Sequence, residues 1–434
     1  MIDIQQLYQK YLDSSGVSTD TRKINLNSFF FSLKGDNFDG NKFAGEALAA
    51  GAKYVVVDNP EVVKDDKFLL VEDVLTALQE LATYHRKKLR IPIFGLTGSN
   101  GKTTTKELIR EVLSAKFNIV ATEGNLNNHI GVPLTLLRIT KETEIGVVEM
   151  GANHIGEIAA LCDIAQPTHG LITNIGKAHL EGFGSYEGVV RAKSELYHYL
   201  IQHDGVVFVN SDDPLLKNMS KRIKKPLFYN SPEDFYECQL LAADPYVQLK
   251  TEDGEHVQTN LIGTYNFKNI AAALCVGKYF KVVEDTANKA IADYVPKNNR
   301  SQIITTEKNQ IILDAYNANP VSMSAALENL AAMEHANKVV ILGDMFELGD
   351  DSDLEHKKIV EKVANMKIAK AIFCGKAFSR SVHNLDVTLT SAVTSIFEDK
   401  SDLAKYLIDN PINNTLILIK ASRGMGLETL VEYL

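Results

Sequence analysis

The clearest chemical signal in the sequence is a glycine-rich segment that follows an apolar run and precedes an amphipathic helix pattern. Backbone N–H groups of such a loop can surround phosphate oxygens, and the start of the following helix adds partial positive charge. Lys102 would reach the outer phosphates, and the Thr103 hydroxyl would bind Mg²⁺. The glycines at 95 and 98 depart from the usual spacing of such loops. We therefore predict a variant phosphate-binding loop, and the alternative is a plain strand-to-helix turn. The predicted loop consists of Thr97, Gly98, Ser99, Asn100, Gly101, Lys102, Thr103 and Thr104.

The rest of the sequence restricts the class of nucleotide-binding protein. No Asn-Lys-x-Asp motif for reading a guanine base is present, which disfavours a GTPase. The apolar run 145–148 ends in Glu149, where a motor ATPase would have Asp. An acidic residue at the carboxyl end of a parallel strand lies beside the loops that bind ligands. Glu149 is therefore a candidate Mg²⁺ ligand, and the alternative is that it only caps a loop.

Two further residues could take part in chemistry. His179 follows the apolar run 170–173, and a neutral imidazole there could bind a metal, although a loop histidine is more often structural. Lys193 has the helical spacing of the buried face of the pattern 186–200, where burial would lower its pKa and make the amine reactive. The alternative for Lys193 is a lysine at a helix edge whose amine reaches water.

Continuous apolar runs alternate with amphipathic helix patterns along the chain. Such runs suit parallel strands covered by helices on both faces, which predicts an α/β fold with several sheets. A basic stretch at 86–90 and a polar stretch at 296–300 look like linkers, so we predict domains at 1–86, 87–297 and 298–434. The runs are 54–57, 93–96, 145–148, 170–173, 206–209, 311–313, 339–342 and 416–419.

Composition excludes several classes of protein. The chain has 434 residues, 45% hydrophobic and 23% charged, which is a globular mixture. Its net charge of −9 disfavours nucleic-acid binding, because neutralising phosphates needs a basic surface. No apolar run approaches the roughly 20 residues of a membrane span. Four scattered cysteines without a CxxC pair argue against disulfides and zinc, so we expect a reducing cytoplasm. We also expect a monomer.

Taken together, the motifs resemble one family, the Mur ligases of peptidoglycan synthesis, over nearly the whole chain. The last third lacks the Asp-Asn-Pro-Arg motif that is usual in the members that add the third peptide residue. The matching segments are 18–22, 35–43, 97–105, 124–133, 149–154, 178–185, 192–195, 314–320, 342–349 and 420–425.

The resemblance implies three domains: an N-terminal UDP-sugar-binding α/β domain, a central P-loop ATPase-like parallel sheet, and a C-terminal Rossmann-like domain that closes over the site. It implies ATP-dependent joining of D-Ala-D-Ala to the carboxylate of a UDP-N-acetylmuramoyl-tripeptide through an acyl phosphate. ATP and Mg²⁺ are the implied cofactors, and small molecules are the only implied partners.

The resemblance also implies roles for individual residues. Lys102, Glu149, His179 and Lys193 would be catalytic, and Thr103, Glu149, His179 and Lys193 (as a carbamate) would hold metal. Besides residues 97–104, nucleotide contacts would come from Asn266, Asn269, Arg300 and Asp314. Substrate contacts would come from Ser18, Thr21, Arg22, Asp39, Gly40, Asn41, Asn125, Asn127, Asn128, Asn317, Asn319, Lys420, Ser422 and Arg423.

The chain departs from the family pattern at two positions. Asn41 stands where the family often has His, on the uridine side, and Tyr265 stands where it often has His, on the adenine side. Three other functions remain open at this stage: the sibling ligase that adds the third residue, a polyglutamate-type ligase, and a nucleotide-dependent switch without ligation.

Overall fold

Three sheets, each built mainly from parallel strands, follow one another along the chain in this computed structural model. The structure describes residues 1–297, 299–383 and 393–434. Helices lie between successive strands, as parallel pairing requires, and the predicted α/β class is confirmed. The predicted boundary between 297 and 298 falls at residue 298, which is outside the described residues.

The first sheet has the strand order β1-β2-β5-β6, and all of its pairs are parallel. A short antiparallel pair, β3-β4, lies beside it. The strands are β1 (Val17–Ser18), β2 (Phe29–Phe31), β3 (Lys34–Gly35), β4 (Phe38–Asp39), β5 (Tyr54–Val57) and β6 (Phe68–Leu70), and the helices are α1 (Ile4–Leu12), α2 (Ala44–Ala49) and α3 (Val74–Lys88).

The second sheet carries the phosphate loop and has the order β12-β11-β10-β7-β9-β8, parallel throughout. Its strands are β7 (Ile93–Thr97), β8 (Ile119–Ala121), β9 (Ile145–Glu149), β10 (His169–Ile172), β11 (Val206–Asn210) and β12 (Leu227–Tyr229). Its helices are α4 (Lys102–Ser114), α5 (Gly131–Leu136), α6 (Glu157–Ala165), α7 (Leu180–Phe183), α8 (Tyr186–Gln202) and α9 (Pro214–Met219).

A three-stranded antiparallel sheet follows, which the sequence analysis did not predict. Strands β14 and β15 bury alternate residues and so contain no continuous apolar run. Strand β13 does contain apolar residues at 240–243, but none of them is buried. Helix α10 packs against both this sheet and α4, which brings the start of α10 to the phosphate loop. The elements are β13 (Gln239–Ala243), β14 (Tyr246–Lys250), β15 (His256–Ile262), α10 (Tyr265–Tyr279) and α11 (Glu284–Asp293).

The last sheet has the order β16-β17-β21-β18-β19-β20, with β16 antiparallel at one edge and parallel pairing elsewhere. Its strands are β16 (Gln302–Thr305), β17 (Gln310–Asp314), β18 (Lys338–Gly343), β19 (Lys370–Cys374), β20 (Val393–Phe397) and β21 (Leu416–Lys420). Its helices are α12 (Pro320–Ala332), α13 (Ser352–Ala364), α14 (Lys376–His383) and α15 (Lys400–Asp409).

The basic stretch at 86–90 is a docked junction between the first two sheets. Helix α3 includes the first half of this stretch and ends at Lys88. The helix packs against α5 and α6 and shares their apolar core. Arg86 is buried and donates hydrogen bonds to the carbonyl oxygens of Ala165 (3.0 Å) and Gln166 (2.9 Å) at the end of α6. These bonds cap the carbonyl end of α6, so the predicted linker holds the first two sheets together.

None of the helices in the described part of the chain is long and apolar enough to cross a membrane.

Candidate active site

The phosphate loop connects β7 to α4 at the carboxyl end of the central sheet. Gly98 and Gly101 both have positive φ, 148° and 77°. A Cβ at Gly98 would lie 2.0 Å from the Thr173 hydroxyl, and one at Gly101 would lie 2.7 Å from the Asn269 amide oxygen. Both positions therefore require glycine for conformation and for space.

The loop is held by the segment that follows β10. The Asn174 backbone carbonyl accepts from Ser99 N at 2.9 Å, and its side-chain oxygen accepts from Asn100 N at 3.0 Å. The Ser99 hydroxyl donates to the Gly176 carbonyl at 3.0 Å. Asn174 thus fixes the loop in its curled form. Thr97, at the end of β7, donates to the Met150 carbonyl at 2.8 Å, which joins β7 to the loop after β9.

Lys102 is folded back onto the loop that it follows. Its Nζ donates to the carbonyl oxygens of Gly98 (2.7 Å) and Ser99 (3.1 Å). Burial lowers the pKa of Lys102, and the charge of Glu149 opposes that shift. A buried cation held mainly by neutral carbonyls is well suited to accept phosphate oxygens as stronger partners.

Glu149 ends β9 and is 1% exposed. Its Oε1 accepts from the Thr103 hydroxyl at 3.2 Å and from the Asn127 amide at 2.7 Å. Within the described residues, Oε2 accepts no hydrogen bond, and the Lys106 ammonium lies 3.9 Å away. The two predicted ligands, Thr103 and Glu149, are therefore in contact, and one carboxylate oxygen is left for a cation.

This donor set fits Mg²⁺. A hydroxyl and a carboxylate are hard oxygen ligands of the kind that Mg²⁺ takes beside the phosphates of a nucleotide. The buried Oε2 atom without a hydrogen bond is the observation that supports the fit, because a buried carboxylate oxygen otherwise finds a donor.

His179 immediately precedes α7 and has a left-handed backbone, with φ 53°. Its Nδ1 contacts the carboxylate of Glu347, which lies in the loop after β18 of the last sheet, but the two groups are not aligned as a hydrogen bond. The Phe183 ring packs edge-on against the imidazole, with ring centroids 6.4 Å apart. The histidine ring is therefore held from two sides.

Lys193 lies on the inward face of α8 and is 1% exposed. Its Nζ is 3.5 Å from the Ala152 carbonyl and 5.3 Å from the centre of the Phe183 ring. Burial, and secondarily the charge of Lys102, lowers the pKa of Lys193 to about 7. A large fraction of the amine is therefore neutral near physiological pH.

Asparagines from two directions approach the phosphate loop. Asn269 on α10 accepts from the Thr105 hydroxyl at 3.0 Å and donates to Asn266 at 2.9 Å. Asn127 reaches Glu149 from the loop after β8, whereas the Asn128 side chain accepts from Gly131 N, at the start of α5, at 3.0 Å. Thr104 and Asn125 contribute to the surface between these two groups.

The last sheet contributes a cationic and aromatic cluster at its carboxyl end. Lys420 forms an ion pair with Asp314 at 2.6 Å, and the amide backbone of Ser301 donates to the same carboxylate at 3.3 Å. The guanidinium carbons of Arg300 and Arg423 lie 3.5 Å and 4.7 Å from the centre of the Tyr316 ring. Two predicted substrate contacts also hold the loops of this region. The Ser422 hydroxyl accepts a hydrogen bond from Phe346 N at 2.8 Å. The Asn317 side chain accepts one from Ala318 N at 2.9 Å.

A single cleft of about 740 Å³ joins these groups, which is in the usual range for ligand pockets. Lys193 lies behind its wall, and the cleft extends from the phosphate loop to the last sheet. The predicted residues that line it are Ser99, Asn100, Gly101, Lys102, Thr103, Thr104, Asn125, Asn127, Asn128, Glu149, His179, Asn266, Asn269, Arg300, Asp314, Asn317, Asn319, Lys420, Ser422 and Arg423.

The six residues predicted in the first sheet lie apart from this cleft. Asn41 is 2% exposed, and its amide group bonds Asp39 and Asp58, each at 2.8 Å. Arg22 forms an exposed bidentate pair with Asp20, which lowers the pKa of that carboxyl to about 2. Asn41 is therefore occupied by its own neighbours. The six are Ser18, Thr21, Arg22, Asp39, Gly40 and Asn41.

Three residues of the site, Tyr316, Lys106 and Glu347, received no role in the sequence analysis, and Tyr265 was noted only as a departure from the family pattern. Tyr265 bonds Ser301 at 2.8 Å beside the cleft, and Tyr316 lies between the two arginines. Lys106 contacts Glu149, and Glu347 contacts His179. Lys106 could have been found, because it is one helical turn from Lys102. Nothing in the local sequence indicates Glu347.

Three family descriptions together match most of the chain. "Mur ligase family, catalytic domain" matches residues 13–87, "Mur ligase middle domain" matches 96–277, and "Mur ligase, glutamate ligase domain" matches 299–423.

Individual relatives are similar over their full lengths. A UDP-N-acetylmuramoyl-tripeptide–D-alanyl-D-alanine ligase of Bacillus subtilis is 37% identical over 96% of this chain and 92% of its own. The crystal structure of MurF from Acinetobacter baumannii is 30% identical, with a TM-score of 0.86, over 99% of this chain and 97% of that one. MurF ligase from Thermotoga maritima, solved in complex with ADP, is 27% identical with a TM-score of 0.82, over 100% of this chain and 98% of that one.

Proposed function

The chain belongs to the Mur ligase family, and we propose that it joins D-Ala-D-Ala to the terminal carboxylate of a UDP-N-acetylmuramoyl-tripeptide with hydrolysis of ATP to ADP and phosphate. The similarity to enzymes of that name over 96% of the chain supports this substrate pair. The observation that carries the proposal is the cleft itself, in which the phosphate loop faces Arg300, Asp314 and Arg423 of the last sheet.

A free carboxylate is a poor acyl donor because its leaving group would be oxide. In the proposed first step, a carboxylate oxygen of the tripeptide attacks the γ-phosphorus of ATP, the bond to the β–γ bridging oxygen breaks, and ADP leaves. The product is an acyl phosphate. Phosphoryl transfer needs positioning and positive charge more than covalent help from the protein. Lys102 and Arg300 would supply that charge on the transferred group.

In the second step, the amine of D-Ala-D-Ala attacks the acyl carbon, and inorganic phosphate leaves as the amide forms and the amine loses a proton. Both substrates and the phosphate must lie in one water-poor space for this order of events. The asparagines of the central sheet and the arginines at the last sheet border that space from opposite sides.

One Mg²⁺ would be held by Thr103 and Glu149, and a second Mg²⁺ by His179 and a carbamate on Lys193. When bound, they neutralise phosphate charge and let the anionic carboxylate approach the γ-phosphate. The residues of this chain prepare for the first ion: Asn127 holds one Glu149 oxygen and leaves the other free.

We further propose domains at 1–86, 87–297 and 298–434, with the UDP end held by the first, and a monomer acting in the cytoplasm on small molecules, not on nucleic acid. The three matched ranges, 13–87, 96–277 and 299–423, support this division. The remaining roles predicted from the sequence stay part of the same proposal.

A coupled assay tests the proposed function. ADP release should require a UDP-muramoyl-tripeptide, with lysine or diaminopimelate as the third residue, together with D-Ala-D-Ala. A product lengthened by two alanines should appear by mass spectrometry. Turnover with a UDP-muramoyl-dipeptide and one amino acid would favour the sibling ligase that adds the third residue. Turnover with glutamate and a folate would favour a polyglutamate-type ligase. Nucleotide binding without any ADP release would favour a switch protein.

A further inference from the structure

An ion-pair contact between His179 and Glu347 crosses from the central sheet to the last sheet. His179 precedes α7, and Glu347 lies in the loop after β18, 168 positions later. The backbone also joins these segments, because Glu181 N donates to the Glu347 carbonyl at 3.3 Å. The contact thus has both a side-chain part and a main-chain part.

Stability does not explain this contact well. The Glu347 side chain is 49% exposed and that of His179 is 23% exposed, and ion pairs with exposed partners add little to stability. Another pair, Lys177 with Glu355 at 3.1 Å, already links the segment before α7 to α13 beside the last sheet. Glu347 differs from Glu355 in its partner, because His179 is proposed to bind metal and Lys177 is not.

Backbone geometry shows that the surroundings hold both residues in place. His179 has φ 53° and Glu347 has φ 62°, a region that non-glycine residues seldom occupy. Such conformations persist only where neighbouring contacts fix them, and they cluster at functional sites. The Phe346 N–H bond to the Ser422 hydroxyl, 2.8 Å, is one of these contacts.

We propose that Glu347 is a positioning residue for His179: a small rotation of the imidazole lets the carboxylate in contact with it accept Nδ1–H, which directs the Nε2 lone pair to the metal only when the last sheet is docked. This inference rests on the proposed function, in which His179 binds Mg²⁺. An imidazole has one protonated nitrogen when neutral, and a carboxylate at one nitrogen selects the tautomer whose other nitrogen can bind metal. Docking of the last sheet and completion of the metal site are then one event.

The test compares four full-length proteins: wild type, Glu347→Ala, Glu347→Gln and Lys177→Gln. Glu347→Gln keeps a neutral acceptor for Nδ1–H, whereas Glu347→Ala removes it. Lys177→Gln is the matched control, because it breaks the neighbouring ion pair without touching His179. Circular dichroism verifies that each protein is folded.

The first readout is Mn²⁺ binding, which is measured by electron paramagnetic resonance in the presence of a non-hydrolysable ATP analogue. We expect Glu347→Ala to weaken Mn²⁺ binding at the site that includes His179 by about 10- to 100-fold, the range found for partners of metal-binding histidines. Glu347→Gln should recover part of that loss, and Lys177→Gln should match wild type. Wild-type affinity in Glu347→Ala, or an equal loss in Lys177→Gln, would overturn the proposal.

The second readout is the tautomer of His179, observed by ¹⁵N NMR of histidine-labelled protein and assigned with His179→Gln. Wild type and Glu347→Gln should carry the proton on Nδ1, and Glu347→Ala should lose this preference. An unchanged tautomer in Glu347→Ala would contradict the assigned role. Both readouts are independent of ligation, so a wild-type protein that fails to join D-Ala-D-Ala would refute the proposed function separately.

Discussion

Asn319 donates a hydrogen bond from its side-chain Nδ2 to Oδ1 of Asn100, 2.7 Å away, across 219 positions of the chain. Asn100 belongs to the phosphate loop, and Asn319 caps the first helix of the last sheet by accepting from Ser322 N at 2.9 Å. One side chain thus starts a helix and contacts the loop of another sheet. Because both residues line the cleft, nucleotide binding and docking of the last sheet should be coupled.

Asn319→Ser should separate these two roles. Serine is an equally good helix cap but is too short to reach Asn100, so thermal unfolding should change little. The KM for ATP should rise about fivefold, equivalent to about 1 kcal/mol for one hydrogen bond.

Small-angle scattering should show a smaller radius of gyration for wild type when an ATP analogue and the UDP-linked peptide are bound together, and a weaker decrease for Asn319→Ser. Asn319→Ala, which also loses the cap, serves as the comparison for stability. An unaltered KM and scattering curve in Asn319→Ser would show that the hydrogen bond has no part in closure.

Lys102→Ala should lower turnover by at least about 100-fold, the usual cost of removing one group that stabilises developing charge. The fold should persist, because the ammonium bonds only two carbonyl oxygens of its own loop, Gly98 and Ser99. ADP release and circular dichroism measure the two effects. Near-normal turnover in this variant would refute the assignment of the phosphate loop.

Lys193 should react with CO₂, since its pKa of about 7 leaves neutral amine in a buried position. Crystals grown with Mg²⁺ and bicarbonate should show density for a carbamate beyond Nζ. Lys193→Ala should lose most activity, and a small carboxylic acid in the buffer should restore part of it by occupying the vacated space. Absence of the extra density with metal present, or normal activity of Lys193→Ala, would leave Lys193 a structural residue.

The same lysine should make stability depend on pH in CO₂-free buffer without metal. Its pKa is about 7 in the folded chain and near 10.5 when unfolded, so between these values the unfolded state binds more protons. The free energy of unfolding should therefore increase as pH rises from 7 to 10. Lys193→Met lacks this contribution. The melting temperature of wild type should therefore rise relative to that of Lys193→Met as the pH increases from 7 to 10. A constant difference would contradict the lowered pKa.

The sequence by itself determined the local features of this protein. Glycine at 98 and 101, then Lys102 and Thr103 after an apolar strand, specify a phosphate loop, because the backbone conformations there exclude side chains. Helical spacing placed Lys193 on the inward face of α8, where the structure buries it. Such features depend on residues a few positions apart, and the periodicity of one element records them.

Only the tertiary structure decided which distant groups meet. The pairing of His179 with Glu347 and of Asn100 with Asn319 depends on how the last sheet docks, and no local pattern encodes that docking. The antiparallel strands β14 and β15 escaped prediction because a half-buried sheet alternates apolar and polar residues. The bond from the Asn41 amide to Asp58, 17 positions away, likewise depends on packing and has no local pattern in the sequence.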